Sequence, residues 1–141
     1  MRSKISIVAA FSLLLINCSE SAPSPIKLHK DNCDFCRMTI ADGRFAAELI
    51  TDKGRVYKFD EVRCMMRYAN QNNTHNYFKK FVSDYSSNNF LIDATTAFFI
   101  YSDKVRSPMG GNFAAFASRE SAEKYSQKWN AEIIELDKLS Y

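Results

Sequence analysis

The stretch FAAELITDKGRVYKFDEVRCMMRYA, Phe45 to Ala69, decides the fold. Phe45 to Thr51 and Arg55 to Phe59 are two β-forming runs separated by Asp52-Lys53-Gly54, a hairpin signal. Asp60 follows where a helix N-cap is expected, and Glu61 falls in the first turn, at the positive end of the helix dipole. Val62, Met65, Met66 and Ala69 then recur at i, i+3, i+4 and i+7, one apolar stripe of a helix. Asn70-Gln71-Asn72-Asn73 ends it.

Downstream, Tyr77 to Val82 reads as a further helical turn and Phe90-Leu91-Ile92 as a strand. The order then repeats. Ala97 to Tyr101 is a strong strand, Ser107 to Asn112 is rich in turn residues, and Phe113-Ala114-Ala115-Phe116 follows. Ser118 is placed to cap a helix to about Trp129, with Ala122, Tyr125 and Trp129 as its stripe, and Ile133-Ile134 closes with a short strand. Strand, strand, helix, strand twice over predicts an α+β fold of two ββαβ halves, at about 33–93 and 94–141. The residues themselves align too weakly to prove a repeat. Neither half alone would bury much core, so the halves are expected to pack together.

Composition agrees. The chain has 141 residues, 46% hydrophobic, 25% charged and 13% aromatic, enough for one ordinary domain. Four Gly and three Pro are too few for a disordered or collagen-like chain. Two of the three excess positive charges are Arg2 and Lys4 in a leader, and no basic run exists, which argues against a nucleic-acid partner.

Met1-Arg2-Ser3-Lys4 and the apolar run Ile5 to Ile16 form a basic start and a hydrophobic segment too short to span a bilayer, as in a signal peptide over residues 1–17. Leu15-Ile16-Asn17-Cys18 resembles the lipobox of bacterial lipoproteins, with Asn17 where Gly, Ala or Ser is commoner. This predicts lipidation at Cys18, a linker over 18–32 and a folded domain over 33–141, tethered to a membrane in the cell envelope and facing the periplasm. That environment is oxidising.

The soft donors are Cys33, Cys36, Met38, Cys64, Met65, Met66 and Met109. Thiolates and thioethers select Cu(I) over hard cations. Cys33-x-x-Cys36-x-Met38 places three within six residues, and an extended exit would point Cys36 and Met38 to one side, with Arg37 favouring thiolate. Met109 stands in a turn between Pro108 and Gly110-Gly111, where a core methionine is not expected. Met65 and Met66 are already explained as core filler. Cys64 faces away from that stripe, toward a second layer or a pocket.

Three other readings of the C-x-x-C compete: a structural disulfide, a thioredoxin-like redox pair, and half a zinc site completed by Cys64 with His29 or His75. The redox motif should open a helix, and Thr39 to Gly43 is too short for one. The corresponding functions are a periplasmic thiol-disulfide oxidoreductase using Cys33 and Cys36, or a structural lipoprotein with a disulfide staple. In an oxidising space thiols are lost to disulfides while Met is not, so a Met-containing site can hold Cu(I) with few ligands, as a carrier requires.

The leader, Cys33-x-x-Cys36-x-Met38, Phe59-Asp60 running into Cys64-Met65, Asp93-Ala94 and Ser107-Pro108-Met109-Gly110 together resemble the NosL family, lipid-anchored accessory proteins of nitrous oxide reductase. Phe116-Ala117-Ser118 with Ala122-Glu123 fits too. Arg37 stands where the family usually has Gly, and Gly111 where Pro is frequent. The resemblance implies a non-enzymatic Cu(I) chaperone serving the membrane-associated assembly machinery of the reductase. It also implies two ββαβ halves similar to organomercurial lyase. Met38 and Met109 are expected as thioether ligands, Cys36 or Cys33 as thiolate, and Cys64 as a further candidate.

Overall fold

In the computed structural model, residues 22–74 and 76–139 are described. The expected leader and lipidated Cys18, and the alternative zinc ligand His75, lie outside them. The hairpin forms as read. Strands β1 (Ala47–Thr51) and β2 (Val56–Phe59) pair antiparallel, with Gly54 at φ 78° in the turn, a conformation that costs glycine little. Helix α1 (Val62–Gln71) buries Val62 and Met65 and lies against β1 and β2.

Tyr77 to Val82 is not helical, contrary to its sequence pattern. It belongs to strand β3 (Tyr77–Ser83), which sits between β1 and β4 (Leu91–Asp93) in a sheet of order β2-β1-β3-β4. Apolar residues at i and i+4, Tyr77 with Phe81, imitate a helical face, whereas the backbone is committed to two neighbouring strands. Lys79 then meets Asp93 across the β3–β4 pair at 3.6 Å.

The second half repeats the plan with β5 (Phe98–Tyr101), β6 (Phe113–Phe116), α2 (Arg119–Trp129) and β7 (Ile133–Ile134), in a sheet of order β6-β5-β7. In both sheets the first strand of the half lies between its second and third, so the duplication holds at the level of topology. Helix α2 lies on β5, β6 and β7, with Ala122 and Trp129 buried. It ends on Asn130 at φ 50°, the left-handed cap that Asn tolerates.

The halves interlock. A parallel bridge joins Asp84 to Ala115, and the Tyr85 N–H donates to the Ala115 carbonyl at 2.7 Å. Tyr85 carries its ring into the second core, edge-on to Tyr125 and Trp129 and tilted against Phe116, beside Phe45. The stretch from Ser24 onward packs on the first half. Ser24 donates through its N–H and hydroxyl to the buried carboxylate of Glu48 at 2.9 and 2.7 Å, and Ile26 enters the core. Among the described residues no helix is long and apolar enough to cross a membrane.

Candidate metal centre

Two loops and one helix start converge on a cluster of sulfur and oxygen. The Cys33–Met38 segment is a tight hairpin closed by the Asn32–Thr39 bridge, with the Cys33 N–H donating to the Met38 carbonyl at 2.8 Å and Arg37 N–H to the Cys33 carbonyl at 3.0 Å. Arg37 takes φ 68°, so the exit is a left-handed turn and not the extended exit read from the sequence. The backbone thus keeps a turn that Gly would adopt more cheaply, at roughly 1–2 kcal/mol for a residue with a Cβ.

Asp34 pins this hairpin to β2. Its N–H donates to the Lys58 carbonyl and its carboxylate accepts from the Lys58 N–H, both at 2.8 Å. The Lys58 ammonium in turn reaches Asp31 and the Pro25 carbonyl, each at 2.7 Å. Anchored at Lys58, the hairpin sets its cysteines beside the end of β2, where Phe59 leads into Asp60 and α1.

There Cys33, Cys36, Cys64 and Asp60 present ligand atoms that all lie within 4.8 Å of one another. Ligands about 2.3 Å from one ion stand about 3.8 Å apart in a tetrahedron and up to about 4.6 Å in a linear pair, so the cluster would close on a single ion with small side-chain shifts. All three cysteines are free thiols; Cys33 and Cys64 are buried and Cys36 is half-buried. The pair read as a possible staple is therefore unbonded.

Asp60 is the residue that sequence reasoning missed. It was expected to cap α1. Instead Glu61 occupies the N-cap position without a side-chain cap, and Asp60 accepts from the Cys36 thiol at 3.4 Å. Asp60 is 1% exposed and its other oxygen, Oδ1, has no protein partner. A buried carboxylate oxygen left unpaired is costly, and a cation is the natural ligand for it. The sequence did offer a signal, Phe59-Asp60 running into Cys64-Met65 among the motifs of the resemblance, but Asp60 there is equally placed to cap a helix.

The thiols differ sharply in acidity. Cys33 is lowered to about 6, chiefly because the neighbouring Cys64 thiol favours its thiolate against the opposing effect of burial, with backbone N–H groups of Cys36, Asp60 and Phe35 helping. Burial and the anionic neighbours raise Cys36 to about 11. Cys64 is pushed far up, first by its proton's attachment to Cys33. Arg37 was expected to favour thiolate, yet it is exposed and is not among the leading causes of these shifts. The cluster thus favours the thiolate at Cys33 and the thiol at Cys36 and Cys64.

The two expected thioethers stand differently from the cysteines. Met38 is 52% and Met109 42% exposed, neither sealed in the core. Met109 belongs to a turn bonded to Glu61, the residue after Asp60: the Met109 and Gly111 N–H groups donate to Glu61 Oε2 at 3.3 and 3.2 Å. The N–H of Gly111 makes a bond that Pro could not. His29 is exposed and outside the cluster, so no described histidine completes a zinc site. Met65 is fully buried and Met66 half-buried against the core, as read.

The NosL family model matches residues 25–141. A crystal structure of the copper chaperone NosL from Shewanella denitrificans is similar in fold, with a TM-score of 0.71 and 19% identity over 85% of this chain and 96% of that one. No curated protein sequence matches significantly.

Proposed function

The chain belongs to the NosL family, and from that premise we propose that it is a lipid-anchored, non-enzymatic carrier of Cu(I) in the bacterial cell envelope. Its recipient is the membrane-associated machinery that assembles nitrous oxide reductase, and Cys18 is its point of lipidation. The observation that carries the reading is the cluster of Cys33, Cys36, Cys64 and Asp60, converging and buried, with an orphaned carboxylate oxygen.

Soft thiolates supply the selectivity for Cu(I). Loading works against the protons that burial and the neighbouring groups favour on Cys36 and Cys64. Met109 and Met38, exposed and unable to form disulfides, serve as thioether ligands that a recipient can replace. An oxidoreductase would need an accessible attacking thiolate. The acidic thiol here, Cys33, is wholly buried, which speaks for a carrier.

The test is competition between the reduced full chain and a Cu(I) chelator. The expected result is one tightly held Cu(I) lost on alkylation of the cysteines, and no disulfide-exchange activity. Uptake indifferent to the cysteines would overturn the reading.

A further inference from the structure

Glu61 is 1% exposed, yet it neither caps α1 nor joins the cysteine cluster. Its Oε2 accepts the two N–H groups on either side of Gly110, from a turn in the other half of the molecule. Arg63, two residues on, donates to the Gly110 carbonyl at 3.1 Å. Residues 109, 110 and 111 are therefore each bonded to a side chain at the start of α1.

The fit is close. A Cβ at position 111 would stand 2.5 Å from Glu61 Oε1 and 2.9 Å from the Arg63 Cβ, so only glycine permits this approach. The turn is also braced internally: Gly110 has φ 67°, its N–H donates to the Ser107 carbonyl at 3.1 Å, and the Asn112 N–H donates to Ser107 Oγ at 2.8 Å. A turn rigid in itself and pinned at its apex has one position relative to α1, which carries Cys64. Burying a carboxylate to hold a loop is expensive, and Glu61 Oε1 even lacks a partner. What the expense fixes is the backbone of the residue that bears the exposed thioether.

We propose that Glu61 is a positioning residue for copper binding, acting through the 109–111 turn to set the Met109 thioether against the Cys33–Cys36–Cys64 cluster. This rests on Met109 being a copper ligand, as proposed above.

A double-mutant cycle on the reduced full chain tests it, with Cu(I) affinity read by chelator competition and the Met109 ε-methyl resonance followed by NMR on loading. Glu61→Ala and Met109→Ala should each weaken binding about 10-fold, and the double variant no further. Glu61→Gln, which keeps an acceptor oxygen, should restore most of the loss. Gly111→Ala keeps the carboxylate but wedges the turn away. It should match Glu61→Ala and abolish the Met109 methyl shift on loading, so the idea stays testable if Glu61→Ala does not fold. Loss in Met109→Ala without loss in either Glu61→Ala or Gly111→Ala overturns the positioning role and leaves Met109 a ligand. Additive losses overturn it too, because Glu61 would then act by another route. Unchanged binding in Met109→Ala removes the premise itself.

Discussion

Helices α1 and α2 leave corresponding strands of the two halves and begin in opposite ways. Helix α2 follows the local rules: Ser118 accepts from the Ser121 N–H at 3.2 Å, and exposed Glu120 faces solvent in the first turn. Helix α1 breaks them. Its N-cap side chain bonds nothing in its own helix, and Asp60 and Glu61 are both buried with one unpartnered oxygen each. One topological position thus carries a helix cap in the second half and, in the first, two buried carboxylates beside the cysteine cluster. Local departures from good helix chemistry mark where function has been placed at the expense of stability.

The largest effect that could break this contrast is at Cys64. Cys64→Ala should lower Cu(I) affinity on the order of 100-fold in chelator competition, whereas Ser118→Ala should leave it unchanged. Equal losses at both helices would abolish the distinction. Next, the two helix starts should respond to substitution with opposite sign. Ser118→Ala should destabilise the metal-free, reduced protein by about 1 kcal/mol in urea denaturation. Asp60→Asn should stabilise it by about 1 kcal/mol, by removing a poorly paired buried charge, while weakening copper binding. Destabilisation by both would make Asp60 an ordinary structural residue.

The acidity of Cys33 sharpens the contrast further. Its value is depressed from 9.0 to about 6, so its contribution to stability is present above pH 9 and is lost as pH falls through about 6. Cys36, raised to about 11, works the other way: its contribution is full below 9 and lost as pH climbs through 11. Thiolate absorbance of the reduced protein should therefore report one ionised cysteine at neutral pH, with a midpoint near 6. Cys64→Ala removes the thiol that favours this thiolate and should raise the midpoint; an unmoved midpoint would show that Cys64 is not the cause. The smallest effect is at Arg37. Arg37→Gly relieves a left-handed φ and should add up to about 1 kcal/mol of stability, read by thermal unfolding.

Much of the fold was legible because its signals are local. The Asp52-Lys53-Gly54 turn, the α1 stripe and the Ser118 cap each act within a few residues. Strand β3 was not legible. Tyr77 and Phe81 at helical spacing and the adjacent lysines hide a strand whose identity comes from β1 and β4 on either side. At the site, sulfur chemistry pointed to Cys33, Cys36 and Cys64, which do converge. Asp60 and Glu61 were invisible as site residues, because an acidic residue between a strand and a helix already has a sufficient local explanation. Only the arrival of the Cys33–Cys36 hairpin and of the 109–111 turn from elsewhere in the chain gives them other work.

The interlocking of the halves through Asp84, Tyr85 and Ala115 has a consequence for unloading. With the Tyr85 ring packed among Phe116, Tyr125 and Trp129, and its N–H bonded to the Ala115 carbonyl of β6, the described halves are joined through both backbone and core. For the carrier proposed above, such a join favours release by substitution at the surface, an incoming donor displacing an outgoing one, over release by parting the halves.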